Sequence, residues 1–450
     1  MTRYQAAARP WEHLVTVVLT AGTGLLILLL VDIVPVLGRR IPQDDVASDY
    51  RVGFLWAVAL WLSILVWPIR KADKRVLLWL WPVKMVVVLG AMLLVESHYR
   101  DNDAFRYFSI PQREGFRWPG FAFGEGTTNV VSLSWLHQQI IPDSYHAMKV
   151  SFAMVGLVAV YILYRAAVRF LGREEIRVLY LLALFPSILF WSSILGKDPV
   201  MLLGISLYIY GVVSINTHRR PDMRRLVYVG MVAAGVTLAS LIRVWLGPIL
   251  LAPLAVFGLI GSRHIFVKVF LIVVVVGALM QALALTSDRF NLAGDRFDVE
   301  STAGLVKTTD YLSHTAAKGA AEQGGSSQEV TKFQDLRGMA AFAPIGAFTA
   351  LFRPLPGEIL NPFGFLASLE NVALLALLLR AIKRSKWRDL KQPLVLWAIT
   401  VVLVWAVVYG FASTQNLGAA ARWKLQILPL LVGLVFYLGR RWREPLGESP

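Results

Sequence analysis

Several stretches of this chain are both apolar and long, and that pairing restricts what it can fold into more than any motif does. The first, LVTVVLTAGTGLLILLLVDIVPVL, runs from Leu14 to Leu37. A helix rises 1.5 Å per residue, so roughly 20 apolar residues cross a hydrocarbon core of ~30 Å. The run is long for a signal peptide and lacks a small-residue cleavage site, so it reads as a retained span. With 56% hydrophobic and only 16% charged residues, the whole chain has the composition of an integral membrane protein.

Apolar runs separated by charged loops fall at 14–37, 53–69, 76–95, 150–168, 178–195, 200–216, 226–246, 249–262, 265–286, 366–382, 393–411 and 425–439. The expected fold is therefore all-α, a polytopic membrane protein with about twelve transmembrane helices. The loops alternate in charge. RKADKR at Arg70, the REEIR region, THRRPDMRR at Thr217, SRH at Ser262, IKRSKWRDLKQ at Ile382 and the tail RRWREP fall on one side with the N-terminus. By the positive-inside rule that side is cytoplasmic, which puts both termini in the cytoplasm. The basic excess behind the net charge of +16 then reports topology and leaves no surface for nucleic acid. Lys84 is the exception, a cation inside the third span. The absence of cysteine excludes disulfides and thiolate chemistry.

Two large loops, Glu96 to Lys149 and Ser287 to Met339, fall outside. The first contains SLSWLHQQIIP, which predicts a short amphipathic helix at the interface. The second contains KGAAEQGGSSQEV, a Gly/Ser-rich stretch expected to be mobile. After it, AAFAPIGAFTALFRPLPGEILNPFGF is apolar but carries four prolines, which favours a re-entrant or interfacial element over a straight span. The chain thus divides into three spans over 1–95, the first outer loop over 96–149, six spans over 150–286, the second outer loop and re-entrant segment over 287–365, and three spans with the basic tail over 366–450.

The first outer loop opens with YRDNDAFRYF, from Tyr99 to Phe108, in which Asp101 and Asp103 form a D-x-D. Such a pair can supply a general base or hold a divalent cation through oxygen ligands; it can equally be two solvated carboxylates on a loop. With the outer side fixed, this stretch resembles the opening of the first large extracytoplasmic loop in the GT-C superfamily of membrane glycosyltransferases. FPSILFWSSILGKDPVMLLGISLYIYG at Phe185 is similar to a segment of bacterial polyprenyl-linked sugar transferases and polysaccharide-assembly proteins, and NLGAAARWKLQILP at Asn416 resembles the start of a late span in those families. The chain departs from the simplest pattern in one respect: the loop follows the third span rather than the first.

The resemblance implies an outward-facing cavity in a bacterial inner (plasma) membrane, open to the periplasm or exterior, where a sugar moves from a polyprenyl-phosphate or pyrophosphate donor to a lipid-linked glycan or other envelope acceptor. Asp103 and Asp101 are the expected catalytic and metal-holding pair, with Mg or Mn as the cation. Lys197, Asp198, Arg243, Arg353, Glu358, Glu370, Arg422 and Lys424 are the expected substrate-binding set. Membrane lipids are the other expected partner. Repeat-unit polymerisation, or secondary transport or flipping of a lipid-linked saccharide, are the alternative activities.

Each binding residue also has a plainer role open to it. Asp198 with Pro199 makes a strong helix start, and Lys197 could meet phosphate in a site or at the headgroup level. Arg243 lies near the outer end of its span, where it can snorkel or face a wet cavity. Arg422 and Lys424 could grip phosphate or anchor the last span. Arg353 and Glu358 lie within FRPLPGEILN, and Glu370, just inside a span, is the most costly to place in lipid. No histidine spacing suggests a metal site, and no P-loop, GxGxxG or lipase elbow points to nucleotide or esterase chemistry.

Overall fold

The computed structural model describes residues 33–98, 102–218, 222–261, 335–359, 362–414 and 416–439, with isolated positions within 17–24 and 265–281. The expected spans at 14–37 and 265–286 lie largely outside these residues, and so does most of the second outer loop. Among the described residues the chain is helical throughout, with no strand.

Among the described residues seven helices are long and apolar enough to cross a membrane: Val46–Val66, Lys71–His98, Tyr145–Leu171, Lys197–Thr217, Met223–Ile242, Gly364–Arg384 and Pro393–Phe411. An eighth forms if Leu417–Gln426 and Leu428–Leu438, which meet at a bend of 70°, are taken as one crossing. The protein is therefore a membrane-embedded helical protein of several spans.

Three expected elements differ. The run 178–195 is two helices, Ile176–Leu184 and Pro186–Trp191, because Pro186 holds Phe185 in an extended conformation. The run 249–262 belongs to Leu246–Gly261, a helix of 16 residues. The proline-rich segment expected to be re-entrant contains one helix, Leu336–Phe352, that passes through Pro344, and a second that begins at Pro362.

The chain folds as two compact units, residues 1–206 and 207–450. In the first, Tyr145–Leu171 packs against Val46–Ser63, Lys71–His98, Gly126–Gln138 and Ile176–Leu184. Ser144 caps it by accepting from the Ala147 amide at 3.1 Å, and Gly172 ends it with φ +65. Its start lies so close to Val46–Ser63 that a Cβ on Gly53 would stand 2.4 Å from His146 Cβ. The short helix expected within the first loop is Gly126–Gln138, but it buries Asn129, Ser132 and Ser134 beside Val130 and Val131 and so lacks the expected amphipathic division.

In the second unit Pro393–Ser413 is the centre, packed by Leu336–Phe352, Leu246–Gly261 and Leu428–Leu438. Leu336–Phe352 crosses it backbone to backbone, since a Cβ on Gly410 would meet the Gly346 carbonyl carbon at 2.6 Å. Pro362–Arg384 keeps Phe365, Leu366, Leu369, Val372, Leu379 and Ile382 exposed, as a lipid-facing helix does.

Candidate functional site

In the first unit, Asp103 is exposed in the first turn of the Asp103–Ser109 helix, which Asn102 caps by accepting from the Ala104 amide at 3.1 Å. Asp101 lies outside the described residues. Among the described residues no three His, Cys, Asp or Glu side chains converge as metal ligands. Lys197 and Asp198 both lie in the first turn of Lys197–Thr217, Asp198 fully buried. The helix therefore starts before Asp198 rather than being capped by it.

Sequence reading missed the polar centre beneath the Asp103 helix. Asp49 accepts from Ser144 Oγ at 2.6 Å, and its other oxygen lies 2.5 Å from His146 Nδ1. Lys149 Nζ donates to both oxygens of Glu96 at 3.0 and 2.9 Å, and the Tyr145 hydroxyl donates to Glu96 at 2.7 Å. All four charged or titratable groups, Asp49, Glu96, His146 and Lys149, are buried. Phe105 and Phe108 pack on the Tyr145 ring at 5.7 and 5.6 Å, so the cluster seats the helix that carries Asp103. Close by, Ser151 Oγ accepts from Trp56 Nε1 at 2.7 Å and lies 2.9 Å from His137 Nε2. Burial pushes His137 down to about 4, so the imidazole is neutral near pH 7.

The second unit carries six of the eight expected binding residues, and three of them stand out. Met223–Ile242 ends at Arg243, whose backbone is extended (φ −144, ψ 107). The Arg243 guanidinium lies over the Trp423 ring, 5.4 Å from its centroid, and its Nε is buried with no hydrogen-bond partner among the described residues. Trp423 packs on Tyr409 at 5.7 Å, and Tyr409 stacks on Trp405 at 4.7 Å. Trp405 Nε1 donates to Gln426 at 2.6 Å.

Next along the chain, Lys424 is buried and its Nζ donates to Asn371 Oδ1. Asn371 Nδ2 in turn donates to the Pro354 carbonyl at 2.8 Å. Glu370 is the carboxylate whose charge acts on Lys424. Arg353 and Glu358 are taken up by each other: Nε reaches the carboxylate at 2.7 Å, and the second carboxylate oxygen accepts from the Leu355 amide at 2.7 Å. They shape the loop between two helices rather than face a ligand. Arg422 sits on the Leu417–Trp423 helix and has partners of its own.

Of the residues named from sequence, Arg243 thus lies with Trp423 and Tyr409, and Lys424 and Glu370 lie with Asn371, the two groups being joined where Trp423 precedes Lys424 in the chain. The signal for Asn371 was its place beside Glu370 on a span. Chemically, the arrangement offers an anion a guanidinium backed by an aromatic ring and a buried ammonium, at a break in the last membrane helix.

Fold and site together define a class, a polytopic helical membrane protein with cations at broken helices. No family model, curated protein or solved structure matches the chain.

Proposed function

We propose that this protein is a membrane glycosyltransferase that moves a sugar from a polyprenyl-phosphate or pyrophosphate donor to a lipid-linked glycan or other envelope acceptor. The observation that carries the reading is Arg243, a guanidinium laid on Trp423 with an Nε that no acceptor among the described residues satisfies, with buried Lys424 next along the chain from Trp423. Guanidinium matches phosphate in two parallel hydrogen bonds, and positive charge at the leaving phosphate lowers the barrier as negative charge builds there. Asp103, on the first unit, is assigned from the resemblance as the base for the acceptor hydroxyl, a role that its own variant tests. The site faces the periplasm or exterior of a bacterial inner membrane, both termini are cytoplasmic and the chain makes about twelve crossings, as the charge alternation of its loops supports.

The test is transfer by the purified protein from a defined polyprenyl-linked donor, with products read by mass spectrometry. Asp103→Asn is expected to abolish product at unchanged membrane level. Arg243→Ala is expected to weaken donor use by about 10- to 100-fold, the worth of a charge-assisted hydrogen bond to phosphate. Full activity in both variants overturns the assignment.

A second reading, a transporter or flippase of lipid-linked saccharide, is favoured by the 70° break at Leu417–Gln426 and Leu428–Leu438, since discontinuous helices hold substrate in many secondary transporters. Movement of labelled substrate across liposomes with no new covalent product selects it.

A further inference from the structure

The first unit holds a buried cation that the proposed reaction does not use. Lys84 lies near the middle of Lys71–His98 and is 3% exposed. Its Nζ donates to Ser192 Oγ at 2.6 Å. An ammonium has three donors, and among the described residues this is the one hydrogen bond it makes, with no carboxylate within ion-pair distance. The contrast within the same unit is Lys149, equally buried, which has both oxygens of Glu96.

The surroundings of Lys84 are irregular on both sides. Just past it the helix widens into a π-helix over Val86–Ala91, a form found mostly at functional positions. Facing it, Ser192 ends the Pro186–Trp191 helix, and residues 192–196 run non-helically to Lys197. That connection is pressed onto Tyr145–Leu171: a Cβ on Gly156 would stand 2.0 Å from the Ser192 carbonyl oxygen, so glycine is required there. Ser192 and Ser193 are both fully buried. Irregular backbone at membrane depth persists where it is enclosed by protein or lines a cavity.

A buried cation with no counter-charge among the described residues destabilises the protein that carries it, and a negative charge arriving with a ligand beside the Ser192 hydroxyl would offset that cost. We infer that Lys84 and Ser192, in the first unit, form an anion-binding site for the phosphate of a second substrate. Lys84 provides the charge and Ser192 a hydroxyl donor, and binding frees the ammonium from its single present partner. The inference stands whether the Arg243 site belongs to a transferase or a transporter.

The experiment uses the full chain in detergent, with farnesyl phosphate and inorganic phosphate as probes, reading binding stoichiometry and the unfolding temperature. Wild type is expected to take two equivalents of farnesyl phosphate. Lys84→Met should take one, be at least as stable as wild type without ligand, and lose affinity at this site by about tenfold or more. Ser192→Ala should lose less, about threefold to tenfold.

A Lys84→Met chain that is less stable than wild type, or fails to fold, shows that the lysine is structural and overturns the inference, as does undiminished binding or a wild type that binds neither probe. Competition by inorganic phosphate at equal strength identifies a free anion as the ligand, and binding of farnesyl phosphate alone identifies a lipid; both support the site. Loss of the other equivalent in Arg243→Ala reports on the donor site independently.

Discussion

Lys149→Met tests the buried cluster of the first unit most directly. The substitution keeps the length of the side chain and removes its charge, leaving Glu96 buried with the Tyr145 hydroxyl as its remaining hydrogen-bond partner among the described residues, at 2.7 Å. Wild-type Lys149 contributes two hydrogen bonds of 3.0 and 2.9 Å to that carboxylate, with both residues at or below 1% exposure. Removing one partner of a buried pair costs about 3–5 kcal/mol, chiefly because a charge is left uncompensated. Removing both is far cheaper. In Glu96→Leu/Lys149→Met the Tyr145 hydroxyl is orphaned, at about 1–3 kcal/mol, while two desolvation penalties disappear. Reversible unfolding in mixed micelles, run as a double-mutant cycle, should therefore give a double variant more stable than Lys149→Met alone. A Lys149→Met cost under about 1 kcal/mol, or a double variant as unstable as the sum of the singles, would refute the reasoning.

Three further expectations concern packing and pH. Gly410→Val should separate Leu336–Phe352 from Pro393–Ser413 and cost about 1–3 kcal/mol, checked by thermal unfolding, because the added atoms meet the Gly346 backbone at a distance where no real Cβ sits. Gly156→Ala should shift the Ser192 connection and lower the thermal unfolding temperature, since its Cβ has 2.0 Å to the Ser192 carbonyl oxygen. His137, held down to about 4, binds fewer protons folded than unfolded, so its contribution to stability is complete above pH ~6.5 and is lost as pH falls from there through about 4. That loss is at most about 3 kcal/mol before solvent screening, and His137→Gln should remove it from the pH profile of unfolding.

The membrane helices were legible because apolar length is a local property: Lys71–His98, Tyr145–Leu171 and Pro393–Phe411 lie where the hydrophobic runs put them. The break at Phe185–Pro186 was legible in principle from the proline, yet a continuous apolar run hid it. Pro344 misled in the other direction, since a helix in close contact with a neighbour can carry a proline through it.

Among the site residues, Arg243, Lys424 and Glu370 stood out because charge inside an apolar run is expensive. What stayed hidden were partnerships across long separations. Glu96 and Lys149 mark the two ends of the first outer loop and read as ordinary boundary charges; nothing local says that they meet. Ser192 is a hydroxyl in a run of similar residues, and only the fold aims Lys84 at it.

The meeting of Glu96 and Lys149 returns the chain to its own starting point after 53 residues. Everything strung between them is fastened at its base, so cleavage near Gly115 or Gly120, where the backbone takes positive φ, would leave both severed pieces clasped through the membrane part of the first unit. Added residues at the exposed turn near Gly115 are therefore expected to disturb the helices below little.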